Sequence, residues 1–110
     1  MPSATFTVSK GIGDRTNSIL TIMVSGAIDT SNSNVFQDQV MKLVGADPEM
    51  RHIRIDLAEL TYISSTGISA LLQILAALRK IDTDLAIVNT PKHIIDIFDA
   101  LGFSVFLDFK

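Results

Sequence analysis

The chain has 110 residues, of which 47% are hydrophobic and 19% charged, with a formal net charge of −3; these values fit one globular domain over residues 1–110 and exclude a disordered tail. It contains no cysteine, which excludes disulfides, thiolate metal sites and cysteine nucleophiles and is compatible with a cytoplasmic location. Its nine Lys and Arg residues are scattered, so there is no basic footprint for nucleic acid; no run of about 18 apolar residues is available to insert into a membrane, and the start lacks the apolar stretch of a secretory signal.

In chain order, Thr5 to Ser9 alternates Phe6 and Val8 with Thr5, Thr7 and Ser9, which predicts a strand, and Gly11-Ile12-Gly13-Asp14 supplies turn chemistry for a hairpin. Ser18 to Ile28 predicts its partner, with Leu20, Ile22 and Val24 on one face. Asp29 to Ser33 is rich in residues that cap helices, and Phe36, Val40 and Val44 then recur every four residues until Gly45 and Pro48 end the helix. A strand over His52 to Leu57 follows, so the first crossover implies parallel pairing. From Ser65, Ile68, Leu71, Leu72, Leu75 and Leu78 form a helical stripe that closes on Arg79 and Lys80. Leu85 to Val88 predicts a short buried strand. After Thr90-Pro91 a third helix carries Ile94, Ile95, Phe98 and Leu101 and stops at Gly102, while Phe103 to Phe109 adds a final strand or an apolar tail. The expected class is α/β, a mixed sheet with a parallel centre covered by helices, in the order β-β-α-β-α-β-α plus a C-terminal strand.

The chemistry is concentrated between the third strand and the second helix, where Ser64, Ser65 and Thr66 stand in a row before Gly67 and Ile68. Hydroxyl side chains are favoured at helix starts because they accept from the free amides of the first turn, worth about 1 kcal/mol. Those amides and the positive end of the helix dipole also suit a phosphate carried on such a hydroxyl. Local spacing alone leaves both readings open, plain capping and a modification site. Gly67 would keep the first turn uncrowded for a close partner. Asp29, followed by Thr30, would lie near Ser65 if both sit at strand ends on one edge of the sheet, either as a partner contact or as an element of the turn. Ile68 fits the core stripe and, one turn into the helix, is also within reach of a partner.

Asp56-Leu57, the five-residue approach, and Tyr62-Ile63-Ser64-Ser65-Thr66-Gly67-Ile68 leading into a Leu-rich helix together resemble the signature of STAS domains. Gly26-Ala27-Ile28-Asp29 resembles the family's second-strand ending, and the short strand at Leu85 to Val88 and the apolar helix after Pro91 stand where the family has them. The resemblance spans nearly the whole chain and is strongest to the bacterial anti-sigma factor antagonists. In those proteins the phosphorylated serine is followed by a small residue and Gly, which maps onto Ser65, with Ser64 as the second choice. Ser64 stands where many antagonists carry Asp, although serine there is also familiar among STAS proteins. The resemblance implies partner switching. The unphosphorylated domain binds a GHKL-type serine kinase that doubles as an anti-sigma factor, phosphorylation ends the binding, and a PP2C-like phosphatase resets it. Partner contacts would come from Asp29, Thr30, Ser64, Thr66, Gly67 and Ile68.

Catalysis is not expected. His52 and His93 fall in no catalytic or metal-binding spacing, Ser65 lacks the glycine two residues upstream that a nucleophile elbow needs, and Gly11-Ile12-Gly13 lacks the third glycine of a dinucleotide site. No cofactor or metal is implied. A second reading takes the chain as a non-phosphorylated STAS subunit associated with a transporter, or as a binder of a small apolar ligand at Phe98, Phe103, Phe106 and Phe109; core packing is the ordinary account of those aromatics.

Overall fold

The computed structural model describes residues 6–103. Its elements are β1 (Phe6–Lys10), β2 (Ile19–Ile28), α1 (Ser33–Ala46), β3 (His52–Ile63), α2 (Ser65–Lys80), β4 (Asp84–Val88) and α3 (Lys92–Ala100). The four strands form one sheet in the order β1-β2-β3-β4. The β1/β2 pair is antiparallel, and β2/β3 and β3/β4 are parallel, each parallel pair being joined through a helix. This is the predicted mixed sheet with a parallel centre. The predicted C-terminal strand over Phe103 to Phe109 lies, from residue 104 on and with Phe106 and Phe109, outside the described residues.

One apolar core runs through the molecule. Leu20, Ile22, Val24 and Ile28 from β2 and Ile53, Ile55 and Leu57 from β3 meet Phe36, Val40 and Val44 of α1 and Ile68, Leu71, Ile74 and Leu78 of α2. Ile94 and Phe98 of α3 join the same cluster. Leu72 and Leu75 flank this stripe, half-buried, whereas Leu101 is exposed because it falls at the C-cap of α3. Helix α3 ends as its glycine predicts. Gly102 has φ +76°, its N–H donates to the Asp99 carbonyl, and Phe103 N–H donates to the Phe98 carbonyl at 2.9 Å, a glycine-terminated Schellman ending.

Two details depart from expectation. The reversal after β1 falls at Arg15–Ser18, not at the glycines. The Asp14 carboxylate accepts from Asn17 N at 3.2 Å and from Asn17 Nδ2 at 2.6 Å, and Ser18 takes φ 58°. Gly13 instead marks close approach, since a Cβ there would stand 2.6 Å from the Ile19 carbonyl.

Strand β3 also continues six residues past Leu57, through the segment expected to be an approach loop. Its pairing with β2 shifts register between Met23 and Ser25 and again between Gly26 and Ala27. Each shift places an extra residue on β3, so its buried positions run Leu57, Leu60, Ile63 and the two-residue alternation that identifies a strand is lost. The first shift is braced by the Asp56 carboxylate, which accepts from Ala58 N at 2.9 Å. The second is braced by the Thr61 hydroxyl, which donates to the Gly26 carbonyl at 3.0 Å, with Gly26 at φ 90°.

Candidate functional site

The extension of β3 has a consequence for the site, because it carries β3 as far as the end of its parallel neighbour. Ile28 and Ile63 stand opposite each other, and Ser64 N donates to the Ile28 carbonyl at 2.9 Å. The two segments that follow, residues 29–32 and 64–67, therefore emerge side by side from the C-terminal ends of parallel strands, where open α/β sheets place their functional loops.

The first segment is closed by its own side chains. The half-buried Asp29 accepts at Oδ1 from Ser31 N at 2.9 Å and from Ser31 Oγ at 2.6 Å. Asn32, at the N-cap of α1, accepts from Asp29 N at 2.9 Å and donates through Nδ2 to the Ala27 carbonyl at 3.1 Å. Of the two readings left open for Asp29, the ordering of the turn is directly visible.

In the second segment the three hydroxyls are not equivalent. Ser64 is the N-cap of α2 in an extended conformation, and its Oγ accepts from Gly67 N at 3.2 Å. Thr66 shares hydrogen bonds with Ser64 Oγ at 2.8 Å and with Thr30 Oγ1 at 3.1 Å. Ser65 opens the helix, is exposed, and alone of the three has a hydroxyl that no protein group engages among the described residues. The amides of Ser65 and Thr66 belong to the first turn, where no intrahelical carbonyl is available to them.

Gly67 and Ile68 face the interior. A Cβ on Gly67 would stand 2.7 Å from Ile63 Cγ1 and 2.9 Å from Ile28 Cγ2. The glycine thus lets α2 close onto its own sheet, and the crowding it relieves is internal. Ile68 is 0% exposed and is a core residue. Thr30, Ser64 and Thr66 are joined by hydrogen bonds beside Ser65, and Asp29 lies next to Thr30 in the neighbouring segment. The link from Thr30 to Thr66 was not readable in the sequence, because a contact between residues thirty-six positions apart leaves no local pattern.

Asp29 is the one ionisable residue in these two segments. The carboxyls with clearly displaced pKa values lie at the other end of the sheet: Asp14, lowered by its hydrogen bonds to Asn17, and Asp47, lowered by the Lys10 ammonium. His52 faces Asp84 at 3.1 Å and His93 faces the Thr61 carbonyl at 3.2 Å, each on the surface. Among the described residues no group of His, Asp or Glu is arranged to hold a metal ion, and no helix is long and apolar enough to cross a membrane.

With a sheet of this topology and a hydroxyl-rich helix start at its C-terminal edge, the chain belongs to the STAS domain family, whose model matches residues 13–110. BtrV of Bordetella bronchiseptica, named as an anti-sigma factor antagonist, is 27% identical over 90 residues, covering 82% of this chain and 76% of BtrV. The structure of the unphosphorylated anti-sigma factor antagonist SpoIIAA, a Bacillus protein, superposes with a TM-score of 0.71 at 12% identity over 94% of this chain and 88% of that one. The murine anion transporter Slc26a9 contains the same fold, with a TM-score of 0.71 at 15% identity over 89% of this chain and 18% of that one. At such identities the two structures speak for the fold alone.

Proposed function

We propose that this protein is a partner-switching regulator of the anti-sigma factor antagonist type, with Ser65 as its phosphoacceptor. The observation that carries the reading is the inequality of the three hydroxyls: Ser64 and Thr66 are engaged, and Ser65, exposed at the first residue of α2, has a hydroxyl with no protein partner among the described residues. The relationship to BtrV supports the same class. In the proposed reaction Ser65 Oγ attacks the γ-phosphorus of ATP held by a GHKL-type serine kinase. A new Oγ–P bond replaces the P–O bond to ADP, and the hydroxyl proton passes to a base of the kinase. Hydrolysis by a PP2C-like phosphatase breaks the Oγ–P bond with water and restores the hydroxyl.

Two opposing electrostatic effects make this a switch. The phosphate brings about −1.5 to −2 charges, which the free amides and dipole of α2 tolerate within the protein, a favourable contribution of about 0.3–1 kcal/mol at an exposed helix start. Against a bound partner the same charge must be desolvated, and losing about 4 kcal/mol converts a micromolar complex into a millimolar one. The interface penalty wins, so phosphorylation releases the partner while leaving the fold intact. Asp29, Thr30, Ser64 and Thr66 would frame the surface that the kinase reads.

The test is intact-mass and peptide mass spectrometry of the protein from its native host beside Ser65→Ala expressed the same way. Phosphate on Ser65 that disappears in the variant is the expected result. Phosphate confined to Ser64 would move the acceptor, and none under any growth condition would leave the transporter-associated reading ahead.

A further inference from the structure

Resting on the acceptor role of Ser65, we infer that Thr30 is a positioning residue for phosphoryl transfer, acting through a chain of hydroxyls that runs from the β2–α1 turn into the first turn of α2. The chain has three links: Thr30 Oγ1 to Thr66 Oγ1 at 3.1 Å, Thr66 Oγ1 to Ser64 Oγ at 2.8 Å, and Gly67 N donating to Ser64 Oγ at 3.2 Å. Each hydroxyl has a single proton to give. Because Gly67 N already donates to Ser64, the Ser64 and Thr66 hydroxyls can orient head to tail and hold each other's rotamers. Ser65 sits between these two held residues, so its own Cα–Cβ direction is fixed by the cap on one side and the relay on the other.

Thr30 is the anchor at the far end, and its carrier is rigid. The turn it belongs to is closed by Asp29 with Ser31 and by Asn32 with the Ala27 carbonyl, and the neighbouring backbone is locked by Ser64 N donating to the Ile28 carbonyl. The hydroxyl of Thr30 thus transmits the position of one loop to the other and makes them a single surface. Transfer to a serine depends on holding the attacking oxygen in line with the phosphorus, and small displacements of a reacting group cost rate steeply. A side chain that does not touch the phosphate can therefore govern the rate at which Ser65 accepts it.

Removing only the hydroxyl is the discriminating change. Purified wild type, Thr30→Val, Thr30→Ser, Thr66→Val and Ser65→Ala would each be incubated in soluble extract of the native host with γ-32P-labelled ATP, and the initial rate of label transfer followed at several protein concentrations. Thermal unfolding of each would be recorded alongside. Wild type is expected to be labelled and Ser65→Ala not. Thr30→Val and Thr66→Val should be labelled about 3- to 10-fold more slowly, the size of effect that loss of one or two hydrogen bonds carries. Thr30→Ser, which keeps the hydroxyl and loses the methyl, should stay within about twofold of wild type, and every variant should remain folded at the assay temperature. Labelling of Thr30→Val at the wild-type rate overturns the positioning role and leaves Ser65 as acceptor. An equal loss in Thr30→Ser also overturns it, since the shape and not the hydroxyl would then matter. A wild type that takes no label overturns the acceptor reading and this inference with it.

Discussion

Ser64 shows how one residue sets the chemistry of its neighbour. By capping α2 it satisfies Gly67 N and takes itself out of competition with Ser65. Ser64→Ala should lower stability by about 1 kcal/mol, the usual worth of such a cap, read as a shift in the denaturant midpoint. Ser64→Asp restores a cap and adds a charge favourable to the helix start, so its midpoint should match or exceed that of wild type. Gly67 reverses a general preference. Alanine in a helix interior normally gains about 1 kcal/mol over glycine, but here its methyl would press on Ile63 and Ile28 at 2.7 and 2.9 Å, and overpacking of a tight core costs about 1–3 kcal/mol. Gly67→Ala is therefore expected to destabilise, as measured by chemical unfolding; a stabilised variant would contradict the packing described.

Among the elements, β3 was the least legible and matters most to the site. Its first half, His52 to Leu57, alternates and could be read directly, as could the stripes of α1 and α2. Its second half is still a strand, but two bulges change the spacing of its buried residues from two to three, and a rule built on alternation stops there. The hairpin turn was misplaced for a related reason: glycines mark both turns and close approaches, and Gly13 serves the second role. Gly26 ties the bulge to its backbone conformation, with φ 90°, where L-residues pay about 1–2 kcal/mol. Gly26→Ala should lower stability by that amount and broaden the amide signals of Tyr62 to Ser64 in NMR spectra. At the opposite end of the sheet, Lys10 donates to the Asp47 carboxylate at 2.8 Å, which holds that carboxyl below its usual value. A depressed carboxyl favours the folded state above its ordinary pKa of 3.8, and that contribution is lost as the pH falls through the folded-state value. Lys10→Met should move the Asp47 titration upward in carboxyl NMR and leave the site at residues 64–66 unchanged.

For the whole molecule, the arrangement separates the core from the segments that carry the three hydroxyls. A single core joins all three helices to the sheet, whereas the hydroxyls that carry the proposed switch lie on two short segments at one edge, so the surface can change charge without repacking the interior. The strand and helix order was legible because each crossover element is amphipathic; which hydroxyl is engaged was not, because all three suit a helix start and only their side-chain geometry separates them. In the proposed switch, phosphate on Ser65 controls partner binding. The most direct test immobilises the unmodified protein and its Ser65-phosphorylated form side by side, exposes both to soluble extract of the native host, and quantifies the bound proteins by mass spectrometry. A GHKL-type serine kinase should be retained by the unmodified form and by Ser65→Ala, and depleted at least about tenfold on the phosphorylated form, the equivalent of 1.4 kcal/mol or more. Equal retention of that kinase on the unmodified and phosphorylated forms would contradict the proposed switch.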